Sequence, residues 1–372
     1  MTNFHCSAIH HNVRVEGNVL SGIRIIPCCN YKTSNNYSTL EEYYSSRELQ
    51  NLKKATEWPA GCIGCEKQEK QNQTSLRNHC NNQWPDITKE YGTRFELFPS
   101  NVCNLKCIMC GPSYSTALAQ ERHAIENIGA DRVKEFNISD ECIDILESVD
   151  NIESISVIGG EFFLTKGNLK IMDFVIEKNI PFRIVTNSTV ILSSHIEKLK
   201  KIPKLELQIS VDGIETSYEF MRYPATWNTF ESNVTTILKA LQPDRSNFHF
   251  VAQTLNVQDL VPTLSYLNRY KIKTRITNLV DPNWLSWTIL NDHEKCSIVE
   301  LLTQQITQYG ITPTQKKFVI DLGQTMINTP HNSEIRNKFI ISMRQIIKHR
   351  KLSFDIIKKQ FGILTELERL LT

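Results

Sequence analysis

Cys103, Cys107 and Cys110 fall within eight residues of the stretch SNVCNLKCIMCG (100–111), spaced C-x3-C-x2-C. Thiols at that spacing can share one metal centre, yet zinc and iron–sulfur sites ordinarily take four protein ligands. The trio therefore leaves one position for a residue from elsewhere in the chain or for a small molecule. A second set precedes it: Cys6, the adjacent Cys28 and Cys29, and the C-x2-C pair Cys62 and Cys65. The chain has eleven cysteines. An odd number, clustered in this way, reads as metal ligands in a reducing compartment rather than as a disulfide framework. Cys80, Cys142 and Cys296 stand alone and are expected as small packed apolar residues.

These thiols must be positioned by an ordered scaffold. Of the 372 residues, 40% are hydrophobic and 22% charged, the balance of an ordinary globular protein. A net charge of +2 gives no general pull towards nucleic acid or membrane. The first residues, MTNFHCSAIHHNVRVEGN, hold no apolar core segment, so no signal peptide is expected and the cytoplasm is the expected location. His10 and His11 are expected as exposed polar residues.

From about residue 93, short apolar runs at 94–100, 154–160, 182–188, 205–213, 248–255 and 274–280 alternate with amphipathic stretches at 114–129, 166–178, 192–201, 227–242 and 257–269. A further helix is expected at 138–149, and helices again at 288–310 and 335–371. Six buried strands alternating with helices predict an α/β fold of parallel β/α units. The first ninety residues are polar and weakly periodic, so metal ligation rather than burial is expected to tie them together.

Parallel β/α architectures carry chemistry at the C-terminal ends of their strands. The cysteine loop follows the first strand, Gly159-Gly160-Glu161 the second, Thr186-Asn187-Ser188 the third, and Ser210-Val211-Asp212-Gly213 closes the fourth. Arg222, before Tyr223-Pro224, is a candidate for holding an anionic substrate group.

This ordered set of signatures resembles the radical S-adenosylmethionine (SAM) superfamily. The resemblance implies a partial (β/α)6 TIM-like barrel. It also implies that Cys103, Cys107 and Cys110 hold a [4Fe–4S] cluster whose fourth iron is left for SAM. Met109 would then pack near the adenine, and Gly159 and Gly160 would let the backbone approach the methionine moiety. Glu161 would accept from the SAM ammonium, and Thr186, Asn187 and Ser188 would meet the ribose. Ser210 and Asp212 would contact SAM or substrate. The fragments PCCN, GCIGCEKQE, SLRNHCN and MRYPATW are similar to a subgroup with an N-terminal twitch domain, a small irregular module. That likeness implies a second, auxiliary cluster on Cys6, Cys28, Cys62 and Cys65. Five residues separate Gly22 from Cys28 where the pattern has four, so Cys29 stays open as the ligand, with Cys28 favoured. Zinc remains the alternative for this four-thiol set.

The expected organisation is an N-terminal cluster domain at 1–92, the barrel at 93–287 and C-terminal helices at 288–372. The expected activity is reductive cleavage of SAM and hydrogen abstraction from a small sugar- or nucleotide-like molecule. Radical modification of a peptide or protein is the alternative, and a non-catalytic zinc or iron–sulfur scaffold a third reading. A flavodoxin or ferredoxin is the expected electron donor, with no membrane or nucleic-acid partner.

Overall fold

The computed structural model describes residues 4–18, 22–70, 74–126, 134–279 and 281–353. Its strands are β1 (Asn12–Asn18), β2 (Gly22–Ile26), β3 (Arg94–Phe98), β4 (Ser154–Val157), β5 (Phe182–Thr186), β6 (Leu205–Ser210), β7 (Ser246–Ala252) and β8 (Lys273–Asn278). They form one eight-stranded sheet in the order β2-β1-β3-β4-β5-β6-β7-β8. Only the β1–β2 pair is antiparallel among the described pairings; β1–β3, β3–β4, β4–β5, β6–β7 and β7–β8 run parallel. From β3 to β8 the order is sequential, with none of the reversal that marks a doubly wound sheet.

The helices are α1 (Ala8–His11), α2 (Leu40–Ser45), α3 (Arg47–Lys53), α4 (Ile63–Lys70), α5 (Leu76–Gln83), α6 (Thr116–Glu126), α7 (Ser139–Glu147) and α8 (Lys166–Lys178). They continue as α9 (Ser193–Lys201), α10 (Glu215–Met221), α11 (Trp227–Ala240), α12 (Leu260–Leu267), α13 (Asp292–Gln308), α14 (Pro313–Asn328) and α15 (Ser333–Arg350). Every expected strand and helix from 93 to 310 is present with its ends shifted by a few residues. The helix expected over 335–371 starts at Ser333 and is described to Arg350; its remainder lies outside the described residues. No helix among the described residues is long and apolar enough to cross a membrane.

Residues 1–102, 134–185 and 193–206 make one compact unit, and 103–133, 186–192 and 207–372 a second. In the first, register sets a buried apolar row across four strands. Val15 faces Leu97, Leu97 faces Val157 and Val157 faces Ile184. Fully burying each such side chain contributes about 1.5–3 kcal/mol. The N-terminal region is thus more regular than its composition predicts, since β1 and β2 extend the sheet. His10 and His11 are not exposed either. His11 is buried, with Nε2 at 2.5 Å from the Asp86 carbonyl and its ring stacked on Trp84.

The second unit is built on one apolar cluster that includes Phe250, Leu264, Leu285, Ile298, Phe339 and Ile346. Reciprocal capping boxes start α13 (Asn291 with Glu294) and α14 (Thr312 with Gln315), and Pro313 opens α14 with φ already helical. The α14 helix was not expected from periodicity, although the Thr-Pro-Thr-Gln start signal is present in the sequence.

Candidate active site

In the second unit the cysteine loop is held from both sides by backbone bonds. Lys106 N donates to Tyr223 O (2.6 Å) and Ile108 N to Met221 O (3.0 Å). Ser115 Oγ donates to Leu105 O (2.7 Å) and accepts from Leu118 N (3.1 Å), tying the loop to the start of α6. Cys107 is buried and Cys103 and Cys110 half-buried. Burial raises the Cys110 thiol pKa, and the neighbouring Cys107 and Cys103 raise it further. Three thiols on one short loop, one buried and two half-buried, are the donor set that an iron–sulfur cluster takes. Met109 packs half-buried against the apolar cluster of this unit.

Two arginines approach the same loop. Arg222, 8% exposed, places Nη1 at 3.9 Å from Cys107 Sγ and Nη2 at 2.5 Å from Asp212 Oδ2. Asp212 is fully buried, and its Oδ1 accepts from Val251 N (2.8 Å). Burial raises the Cys107 pKa while Arg222 opposes it. The structure therefore gives Asp212 and Arg222 an internal partnership, where direct contacts to SAM or substrate were expected. Arg350, at the end of α15, is bidentate to Glu121 (Nε–Oε1 3.0 Å, Nη2–Oε2 2.7 Å) and also donates from Nη2 to Lys106 O (2.6 Å).

Asn104, inside the cysteine loop, was not singled out from the sequence. Its Oδ1 accepts from Asn187 Nδ2 (3.0 Å) and its Nδ2 donates to Thr189 Oγ1 (2.9 Å). Asn187 Oδ1 accepts from Thr189 N (2.9 Å), Thr186 Oγ1 accepts from Ser188 N (2.9 Å), and Asn233 Nδ2 donates to Ser188 O (2.8 Å). The expected ribose-contact segment is thereby fixed to the cysteine loop. Ser210 is buried at the end of β6. One face of the strands in this unit is polar, with Gln208 buried and His249 and Thr277 half-buried. Gln208 Nε2 donates to His249 Nδ1 (3.1 Å), which leaves the ring proton on Nε2, 2.9 Å from Thr277 Oγ1.

In the first unit Gly159 and Gly160 have φ of +83° and +55°. A Cβ on Gly159 would sit 2.0 Å from the Phe98 ring, and one on Gly160 would sit 2.5 Å from Val102 O and 2.7 Å from Ser100 O. Close packing on the exit of β3 thus requires both glycines before any ligand is considered. Glu161 is buried; its N donates to Val102 O (2.8 Å) and its Oε1 accepts from Phe163 N (3.4 Å), capping the turn that follows. Gly160→Ala is expected to cost about 1–3 kcal/mol for the left-handed backbone, with the carbonyl collisions added. A lowered urea midpoint at unchanged slope checks it.

The same unit gathers the N-terminal thiols. Cys6, Cys28, Cys62 and Cys65 line one cavity of about 20 Å³ together with Asn30 and Arg77. Burial pushes Cys6 up to about 11 and Cys62 up to about 12, with thiol neighbours adding to both and Arg77 opposing. Cys29 is pushed up to about 12 by burial and then by Glu96. Cys80, expected as a packed apolar residue, is buried but lies in electrostatic reach of Cys6, Cys29 and Cys65, and its pKa too is raised to about 12, first by burial. Cys142 is buried as expected, whereas Cys296 is exposed. A zinc site needs each thiolate sulfur about 2.3 Å from one point. Among the described residues no three or more His, Cys, Asp or Glu side chains form such a single-ion group.

Residues 97–267 match the family model described as Radical SAM superfamily. That segment contains the whole cysteine trio and the three later strand-end signatures. The chain is similar to Streptococcus suis SuiB bound to S-adenosylmethionine at 17% identity and TM-score 0.39, covering 77% of this chain and 54% of that one. It is similar to native anSMEcpe with bound AdoMet at 18% identity and TM-score 0.43, covering 58% of this chain and 59% of the other. It therefore spans little more than half the length of these solved chains. No curated protein matches.

Proposed function

We propose that this protein is a radical SAM enzyme in which Cys103, Cys107 and Cys110 hold a [4Fe–4S] cluster with one iron left for SAM. The observation that carries the reading is the C-x3-C-x2-C trio on a loop held by backbone bonds, within the segment that matches the family. When bound, the cluster and SAM supply a 5′-deoxyadenosyl radical able to take a hydrogen atom from substrate. The chain's part is to hold, orient and exclude water. Ser115, Tyr223 and Met221 fix the loop, and Asn104 links it to Thr186–Ser188, proposed to meet the ribose. Met109 is proposed to lie near the adenine, the Gly159–Glu161 turn near the methionine moiety, and Ser210 near SAM or substrate. The sequential strand order β3 to β8 supports a partial barrel.

The substrate proposed is a small polar molecule, sugar- or nucleotide-like, and the hydrogen-bonded face of Gln208, His249 and Thr277 is the surface proposed to meet it. Cys6, Cys28, Cys62 and Cys65 are proposed to hold an auxiliary cluster in an N-terminal twitch-like module, with a flavodoxin or ferredoxin as electron source. Anaerobic reconstitution with iron and sulfide, then dithionite and SAM, tests the proposal. The expected product is 5′-deoxyadenosine. Deuterium carried into it from labelled sugar nucleotides supports the substrate class, and deuterium from a labelled peptide instead overturns that part. A chain that retains zinc and forms no 5′-deoxyadenosine is a scaffold.

A further inference from the structure

We propose that Arg222 is a positioning residue that sets the reduction potential of the cluster held by the cysteine trio, through an N–H and a permanent charge directed at the Cys107 sulfur. This rests on the reading of Cys103, Cys107 and Cys110 as cluster ligands. Sequence position suggested a role in holding an anionic substrate group, but the side chain is turned to Cys107 and Asp212 and only 8% of the residue is exposed. Its Nη1 is 3.9 Å from Cys107 Sγ, at the outer reach of an N–H···S bond, with both groups buried. A guanidinium stays charged at any working pH, so this buried charge cannot be lost by deprotonation.

The orientation is itself enforced. Asp212 takes the Nη2 edge at 2.5 Å, which leaves the Nη1 edge for the sulfur. Asp212 is held in turn: Oδ1 accepts from Val251 N, and Asn256, fully buried, donates from Nδ2 to Asp212 O (3.2 Å) and to Val251 O (3.0 Å). Arg222 Nε is buried without a hydrogen-bond partner in the described structure. A cation retained at that cost is unexplained by the Asp212 pair alone, since a buried pair often gives way to apolar packing without loss. Hydrogen bonds and positive charge at cluster sulfurs favour the form carrying the extra electron, and low polarity enlarges the effect. Arg222 thus makes the cluster easier to reduce, and Asp212 limits how much.

The test is a potentiometric titration of the reconstituted full chain, following by electron paramagnetic resonance the reduced signal that changes when SAM is added. In Arg222→Met the one-electron reduction equilibrium should fall about tenfold, which is about 59 mV more negative, with iron per chain unchanged. Asp212→Asn, which keeps the shape and removes the opposing charge, should move it several-fold the other way. Should Arg222→Met fail to fold or lose iron, Asp212→Asn decides alone. An unmoved midpoint in the variants that keep their iron, or shifts of the same sign in both, overturns the proposal and returns Arg222 to a packing or substrate role. A wild-type chain with no SAM-sensitive signal defeats the ligand reading itself, and this proposal with it.

Discussion

Alanine at Cys103, Cys107 and Cys110 together should lower the iron content from about eight to about four per chain and abolish 5′-deoxyadenosine formation. The loss is chemical rather than structural, because the loop does not depend on its thiols for its path. Lys106 and Ile108 keep their backbone bonds to Tyr223 and Met221, and Ser115 keeps its bond to Leu105. The thiols of the other unit are untouched, so absorbance from the second cluster should persist. Iron analysis, visible absorbance and chromatography of the nucleoside product check all three. Continued SAM cleavage by the triple variant would sink the assignment of the trio.

The second large effect concerns the fold. Arg350 and Glu121 are both almost wholly buried and meet through two hydrogen bonds. Arg350→Ala strands a carboxylate in an apolar surround, and breaking a buried pair in this way costs about 3–5 kcal/mol. Arg350 Nη1 has no hydrogen-bond partner in the described structure, so the pair is held below its best possible value. Glu121→Leu with Arg350→Met should accordingly lose much less than the sum of the single changes. Denaturant midpoints of the singles and the double measure this. Equal, additive losses would show that the pair contributes nothing beyond separate packing.

Much of this was legible in the sequence where periodicity carried the signal. The run FHFVAQTL reads as a strand, and β7 buries Phe248 and Phe250 on one face as that pattern requires. The strand NVRVEGN was missed because only Val13 and Val15 carry its apolar face, and Arg14 and Glu16 on the other face read as solvent-exposed. Both are nevertheless buried, Arg14 bonded to Glu16 and Glu96 across the β1–β3 pairing. Charge on a strand reads as exposure unless its partner is known, and Glu96 lies 82 positions away. The trio was legible because its ligands are local. Arg222 was noticed for its place near a strand end, but its inward orientation depends on Asp212. Cys80 gave no spacing signal, since what links it to Cys6 and Cys65 is tertiary.

The bond from Arg350 to the Lys106 carbonyl joins residues 244 apart. On a ribosome moving at about 5–20 residues per second, that separation is roughly 12–50 s of synthesis. During this interval the thiol-bearing segment is already made while this anchor has yet to be translated. Iron and sulfide delivered cotranslationally would meet a loop still lacking that clasp, which closes only after Arg350 itself is made.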